Sequence, residues 1–464
     1  MSTYKVSNHI AYQPVAKEIN RTISDPIWLI KKGIWVYFFL LIFEGALRKW
    51  VLPGLATPLL IIRDPVAFMV LITAYKYRLF PNVFYIKVVN LIALISVIAA
   101  LAVGHGNLFV ALYGARSMWL HFPMMFVMGK IFDRKDVESM GRAVLIMAIP
   151  MAVLIALQFY SPQSAWVNRG VGGSTEGAGF SGSGEFMRPP GTFSFTTGLV
   201  QFFCLVSVFV FYFFIRSERI NKFLLYASAG AMIIAIPMSI SRSLLFNVII
   251  ELMMMVMAVS NKSKHISKIF TLFGVGVIAL LILSQTAFFK TSTGAFTDRF
   301  ETAQEAEGGI DNLFVDRFLG GMVKALEESS GQPILGLGIG MGSNVGAQIL
   351  VGNANVFLIS EEEWGRLIGE MGPILGLLLI LIRVQFAFSM AFRSFKYMRK
   401  ENFLPWMLLG ISFLIFLQGQ WSQPTSIGFS TLMGGMMLAG FNESQTEEQE
   451  NTEEETNNEH ETHE

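Results

Sequence analysis

Apolar residues in this chain come in continuous blocks of membrane-spanning length, separated by polar stretches. The blocks fall at roughly 34–50, 55–74, 88–104, 108–129, 141–160, 191–215, 223–240, 243–259, 269–289, 372–392, 403–418 and 427–441. Runs of that length predict about twelve lipid-embedded helices. A β-barrel would show short segments of alternating polarity instead, and the chain has none. The expected fold class is all-α: a polytopic transmembrane helical bundle of about twelve spans with a long, partly helical external loop.

The polar intervals supply an orientation. Lys76, Arg78 and Lys87 follow the second block, Lys130, Arg134, Lys135 and Arg142 the fourth, and Arg216, Arg219 and Lys222 the sixth. Lys262, Lys264 and Lys268 follow the eighth, and Arg393, Lys396, Arg399 and Lys400 the tenth. These even-numbered exits, the second to the tenth, are all basic, which under the positive-inside rule puts both termini in the cytoplasm. The chain then divides into a cytoplasmic polar arm (1–32), nine spans (33–289), an external, periplasmic loop (290–371), three spans (372–441) and an acidic tail (442–464). Residues 161–190 are rich in Gly and Ser and are expected to form a flexible external flap. In the long loop Phe314, Phe318, Met322 and Ala325 fall at helical spacing, and Gln332-Pro333 closes the run. The tail holds ten Glu and no Lys or Arg, a composition expected to stay disordered.

Composition agrees with the pattern. Of 464 residues 53% are hydrophobic and only 15% charged, too few charges to cover a water-soluble surface of this size. The formal net charge of +1 offers no field for nucleic acid. The single cysteine, Cys204, has no internal partner and reads as a small apolar filler. The first 32 residues lack the apolar core of a signal peptide, so none is expected.

Charges inside the blocks are the first sign of chemistry. Arg63 lies about eight residues into the second span, ~12 Å deep, and Arg116 lies at the same depth in the fourth. Arg242 stands at the outer rim of the eighth span, Glu251 about a third of the way down it, and Arg188 just ahead of the sixth. Ion pairing alone accounts for single residues: Arg63 with Asp64 or Glu251, Arg116 with Glu44. Arginines outnumber carboxylates at this level, however, and guanidinium forks hold phosphate oxygens in pairs while keeping their charge. An anion site facing the outer surface follows, of a kind that suits a lipid-linked phosphate or diphosphate.

The long loop carries the other polar features. Gly336, Gly338, Gly340 and Gly342 alternate with apolar residues, without the register or the lysine of a nucleotide loop. They read as a tight turn that packs closely or aims backbone N–H groups. Glu361, Glu362 and Glu363 form an acidic run of which one member is expected to point inward. Glu370 lies four residues after Arg366, the spacing of an ion pair on one helix face. His105 reads as a loop residue and His121 as a bundle-interior residue. Neither has a carboxylate or histidine at ligand spacing, so no metal site and no cofactor are expected. Gln158, Tyr160 and Trp166 fit an interfacial belt.

Several of these stretches resemble the O-antigen ligase and Wzy-type polysaccharide polymerase superfamily. Asp316-Arg317, Pro333-Ile-Leu-Gly336-Leu-Gly338-Ile-Gly340 and Glu370-Met-Gly372 match its signature in order. Arg188-Pro-Pro-Gly191-Thr-Phe193 and Ser241-Arg242-Ser243 are similar to two further blocks. Glu44-Gly-Ala-Leu-Arg-Lys-Trp50 and Arg63-Asp64-Pro65 look like the amino-terminal pattern of exopolysaccharide-associated members. The resemblance spans most of residues 40–440. It implies a metal-independent membrane glycosyltransferase that moves glycan from an undecaprenyl-diphosphate carrier to an acceptor glycan or lipid on the periplasmic face. Arg242 and Arg188 would hold the diphosphate, with Arg317 and then Arg116 and Arg63. Glu361, or else Glu362 or Glu370, would deprotonate the acceptor hydroxyl. Many ligases carry histidine where this chain has Glu361, which favours a polymerase over a ligase. Partners implied are the lipid bilayer, the lipid-linked donor, the acceptor and other polysaccharide-assembly proteins, with no nucleic acid. A transporter and a non-catalytic assembly scaffold are the alternatives.

Overall fold

A computed structural model describes residues 24–183, 186–260, 285–307, 333–353, 358–360 and 362–442, together with isolated positions between these ranges. Among the described residues fifteen α-helices follow in chain order. The first group is α1 (Ser24–Ala46), α2 (Ala56–Leu59), α3 (Arg63–Lys76), α4 (Phe84–Ala102), α5 (Leu108–Arg116), α6 (Phe122–Ile131) and α7 (Arg134–Tyr160). Next are α8 (Thr196–Ile215), α9 (Lys222–Met238), α10 (Arg242–Val259) and α11 (Ala287–Glu307). The last are α12 (Asn344–Val351), α13 (Glu363–Met398), α14 (Leu404–Gln418) and α15 (Pro424–Ala439). A two-stranded antiparallel hairpin, β1 (Phe180–Ser183) and β2 (Phe186–Arg188), is the one sheet among the described residues.

Seven helices among the described residues are long and apolar enough to cross a membrane: Pro26–Val51, Pro53–Lys76, Phe84–Ala102, Arg134–Tyr160, Thr196–Ile215, Arg242–Val259 and Glu363–Met398. The protein is thus a helical, multi-pass membrane protein. α9 and α14 are apolar but shorter, so seven clear crossings stand among the described residues, and they do not establish the count of twelve. The predicted span at 269–289 lies outside the described residues as far as position 284. Protein encloses 78% of the apolar stretch of α8 but 22% of that of Pro53–Lys76. α8 is therefore the axis of the bundle, and α3 turns most of its surface to lipid.

Two apolar runs are interrupted by wide turns of π type, Leu47–Val51 and Ser117–His121. In each, an N–H reaches back five residues: Leu52 to the Leu47 carbonyl, and Phe122 to that of Ser117. Proline follows directly in both cases, as Pro53 and Pro123. A proline has no N–H for the carbonyl four residues back, so the winding loosens there. The turns swing Arg48, Lys49 and His121 into the interior.

α13 is broken at Gly372, whose φ of 75° is followed by Pro373. Pro373 cannot donate to the Gly369 carbonyl, and Leu337 N donates to it instead at 2.9 Å. Gly338 N likewise donates to the Glu370 carbonyl at 3.0 Å. The glycine-alternating turn is a clamp on this break. A Cβ at Gly336 would sit 2.3 Å from Gly372 N, so only glycine allows the approach. On its other side the turn meets α5, where Gly340 lies against the Val110 carbonyl and Gly114.

Glu251 sits apart from every arginine that the sequence pairs it with. It is fully buried between α10 and α14, its carboxyl facing Gly410 and the Ile411 backbone, with no side-chain partner among the described residues. A charge in that dry seam would stand unpaired. Glu251→Gln should therefore keep or raise the melting temperature of the detergent-solubilised protein. Gly410→Leu, which drives a side chain into the carboxyl, should lower it by several degrees. A melting temperature that drops for Glu251→Gln would mean that the carboxylate has a partner.

Candidate functional site

A continuous polar network fills the space where α1, α3, α5 and the two π turns meet. Arg63 is 2% exposed and donates to Glu44 Oε2 at 3.2 Å, to the Tyr37 hydroxyl at 3.4 Å and to the Pro424 carbonyl. Glu44 also faces Arg48 at 3.5 Å. Arg116 Nη1 donates to both Asp64 oxygens at 3.0 and 3.1 Å, and its Nη2 to the Tyr113 hydroxyl. His121, fully buried, bonds Asp64 through Nε2 at 3.0 Å and Tyr37 through Nδ1 at 2.8 Å. With Asp64 accepting, Nε2 carries the proton and Nδ1 accepts from Tyr37. Three arginines (Arg48, Arg63, Arg116) thus face two carboxylates (Glu44, Asp64), one positive charge in excess inside an apolar bundle.

Lys49 and Arg48 tie this network to the segment that follows β2. Lys49 Nζ donates to the Gly191 and Phe193 carbonyls at 2.6 and 2.8 Å, and Arg48 Nη1 to Ser194 Oγ at 2.9 Å. Thr192 Oγ1 donates to the Ile42 carbonyl at 2.7 Å. A Cβ at Gly45 would lie 2.4 Å from the Thr192 carbonyl oxygen, so a small residue is required there. Two stretches far apart in sequence, Glu44–Trp50 and Arg188–Phe193, are therefore packed backbone to backbone. Lys49→Met keeps the apolar stem but leaves two buried carbonyls unpaired, an expected loss of about 1–3 kcal/mol. Unfolding in mixed micelles measures this, and an unchanged midpoint would remove the clamp.

Arg188 ends β2 and is half-buried. Burial, and after it the charge of the Arg299 guanidinium, hold its pKa below the usual arginine value. Arg299 on α11 donates to the Gly182 carbonyl at 3.2 Å. Ile240 presses its side chain on Gly182, and Arg242 begins α10 two residues later. Ile240 has φ of 46°, a left-handed conformation that a β-branched residue adopts only under strain. Two arginines, Arg188 and Arg299, thus meet at the hairpin, and the start of α10 at Arg242 follows the residue that packs on it.

Residues 161–190 hold more structure than a glycine-rich flap. Asn168 is buried and donates to the carbonyls of Gln158, Ser161 and Pro162, while Gln158 exchanges hydrogen bonds with Gly191. Gln158 is therefore an interior clamp and not part of an interfacial belt. Trp166 does stand exposed, stacked on Trp50 at 5.6 Å.

The acidic candidates are distributed differently from expectation. Of the two described members of the run the inward one is Glu363, 3% exposed, which accepts from Arg366 at 3.0 Å and from Arg383 at 2.7 Å. Glu370 is fully buried, bonded to Arg366 through Oε2 and accepting from Gly342 N at 2.8 Å through Oε1. Both of its oxygens are committed, so it fastens the break in α13 and is not placed to take a proton. Glu362 is half-buried, and its backbone N–H bonds Ser360 Oγ. Glu361 and Arg317, and the helical reading of residues 314–325, lie outside the described residues.

Arg63 and Arg116 belong to the network, but with the partners exchanged: Arg63 takes Glu44 and Arg116 takes Asp64. The sequence places His121 in the bundle interior, where it is fully buried, without its partners Asp64 and Tyr37. It assigns no role to Tyr37, Arg48, Lys49 or the Trp421–Pro424 turn. That turn joins the two polar clusters, since Trp421 N donates to Glu363 Oε1 at 3.3 Å and the Pro424 carbonyl accepts from Arg63. Leu52-Pro53 and Phe122-Pro123 within apolar runs were the available signal for the π turns. No family model, curated protein or solved structure matches this chain. Among the described residues no three His, Cys, Asp or Glu side chains gather as metal ligands.

Proposed function

We propose that the protein is a membrane glycosyltransferase of the O-antigen ligase and polymerase type. It would draw glycan from an undecaprenyl-diphosphate carrier at the periplasmic face of the inner membrane, acting as a polymerase rather than a ligase. The observation that supports the reading is the arginine surplus: three arginines facing Glu44 and Asp64, and Arg188 with Arg299 at the hairpin, near which α10 begins at Arg242. A diphosphate leaving group gains negative charge as the glycosidic bond to it breaks, and preorganised guanidinium groups stabilise that charge where water is excluded. The hairpin arginines bind the diphosphate, and the buried network holds Arg48 and Lys49 against the segment that carries Arg188. Glu362 is the described candidate for the base on the acceptor hydroxyl, because Glu363 and Glu370 are held in ion pairs.

The test is transfer by the purified protein from a lipid-linked diphosphate donor to an acceptor glycan in proteoliposomes. Longer covalent product supports the reading. A transporter is the second reading, favoured by the break in α13, since transporter sites are built at discontinuous helices. Passage of the glycan across the vesicle membrane with no new glycosidic bond would select it. Orientation is tested with an impermeant thiol reagent in a Cys204→Ser background. Trp166→Cys should label in intact cells and Lys396→Cys only after permeabilisation. The reverse pattern would place the site in the cytoplasm.

A further inference from the structure

A second cationic site lies in the connection between α3 and α4, outside the network described above. An open cleft of about 630 Å³ lies there, lined by Lys76, Arg78, Lys87, Tyr75 and Asn82 together with apolar residues of the connection. The volume falls within the range of small-molecule sites, roughly 300–1,000 Å³. The cleft carries three cations, and no Asp or Glu occurs anywhere between Asp64 and Asp133. The three are exposed, and none forms an ion pair with a described carboxylate.

Arg78 occupies an unusual position. It caps the carboxyl end of α3 in the left-handed region, φ 58°, while Leu79 N and Phe80 N both donate to the Ala74 carbonyl. Glycine is the ordinary residue at such a cap, because a side chain there is strained by about 1–2 kcal/mol. Here the strained position carries a guanidinium on the wall of the cleft. The surroundings are those of a bilayer edge. Both flanking helices are long and apolar enough to cross the membrane, and their outer faces expose Phe68, Ile72, Phe84 and Leu91.

We propose that this cleft binds the headgroup phosphate of an anionic phospholipid, with the acyl chains lying along the exposed faces of α3 and α4. An uncompensated cationic cleft beside an apolar surface matches an amphiphile with one anionic phosphodiester, and a neutral zwitterionic lipid much less well. The site is independent of the glycan reading and stands whether or not the protein transfers sugar.

Native mass spectrometry of the full chain, released from mixed micelles of phosphatidylglycerol and phosphatidylcholine, tests it. The wild type should retain phosphatidylglycerol selectively. Arg78→Gln combined with Lys87→Gln should raise the apparent Kd for that lipid about tenfold or more. Arg399→Gln with Lys400→Gln, exposed cations of another loop, should leave it unchanged. Arg78→Gly separates binding from folding. Glycine suits the backbone there, so the variant should melt no lower than wild type and yet lose selectivity. The proposal fails if the double variant keeps its selectivity, or if the control pair loses as much. It fails equally if soluble glycerol phosphate binds as tightly as the lipid, which would make this a free-phosphate site.

Discussion

Replacing Arg242 by alanine is expected to lower transfer from a lipid-linked diphosphate donor by about two orders of magnitude or more, the scale of losing one charge contact in the transition state. Arg242 opens α10 directly after strained Ile240, and Ser241 caps the helix by accepting from Leu244 N at 3.4 Å. Such strain persists only where the surrounding structure over-determines the backbone, and here it sets where Arg242 stands relative to the hairpin. Arg242→Lys should fall between alanine and wild type, because an ammonium is a point charge and cannot hold two phosphate oxygens in parallel. Both variants should accumulate normally, since the residue is only half-buried at a helix start. The assay uses purified protein and donor. Near-wild-type turnover by the alanine variant would take Arg242 out of the site and leave the glycosyltransferase reading without its leading contact.

The second large effect falls on stability. Glu363→Ala removes the carboxylate shared by Arg366 and Arg383, which are 6% and 3% exposed. Glu370 still faces Arg366, but Arg383 is left with carbonyl acceptors alone: Phe416 at 2.8 Å and Gly419 at 2.9 Å. Breaking a buried pair by deleting one partner costs about 3–5 kcal/mol, because the surviving charge stays buried. The expected result is poor accumulation and a much lower unfolding midpoint in micelles. Glu363→Gln, which keeps hydrogen-bond acceptance at one position, should lie between. Glu370→Gln should act in the same direction, through Gly342 and the clamp on the broken helix. If Glu370→Gln instead leaves the midpoint unchanged and abolishes transfer, Glu370 is a base after all and the structural assignment fails.

How far the sequence reached depends on what kind of force set each feature. Hydrophobic length is a local property, so the helices at 84–102, 134–160, 196–215 and 242–259 stood in the sequence, the last almost at its observed ends and the others with starts displaced by several residues. The ion pair between Arg366 and Glu370 was legible for the same reason, since four-residue spacing on one helix is local geometry. The count of crossings was less legible. Short apolar helices such as α9 and α14 satisfy a hydropathy window without reaching the length of a clear span.

Partner choice inside the bundle belonged to tertiary structure. Charge counting brought Arg63, Arg116, Glu44 and Asp64 to one level, but which carboxylate met which guanidinium followed from two π turns and from the packing of α1 on α3. Glu251 shows the same limit from the other side: its depth suggested an arginine, and packing gave it Gly410. The glycine-alternating turn was readable as a close approach, yet only the structure names what it approaches, the carbonyls released where Gly372 and Pro373 break α13. Lys49 resists reading altogether, because a buried lysine is tolerated only where carbonyls from a distant segment converge on it, here Gly191 and Phe193. A sequence sets which groups must be satisfied in a dry interior. The chain path alone sets which ones satisfy each other.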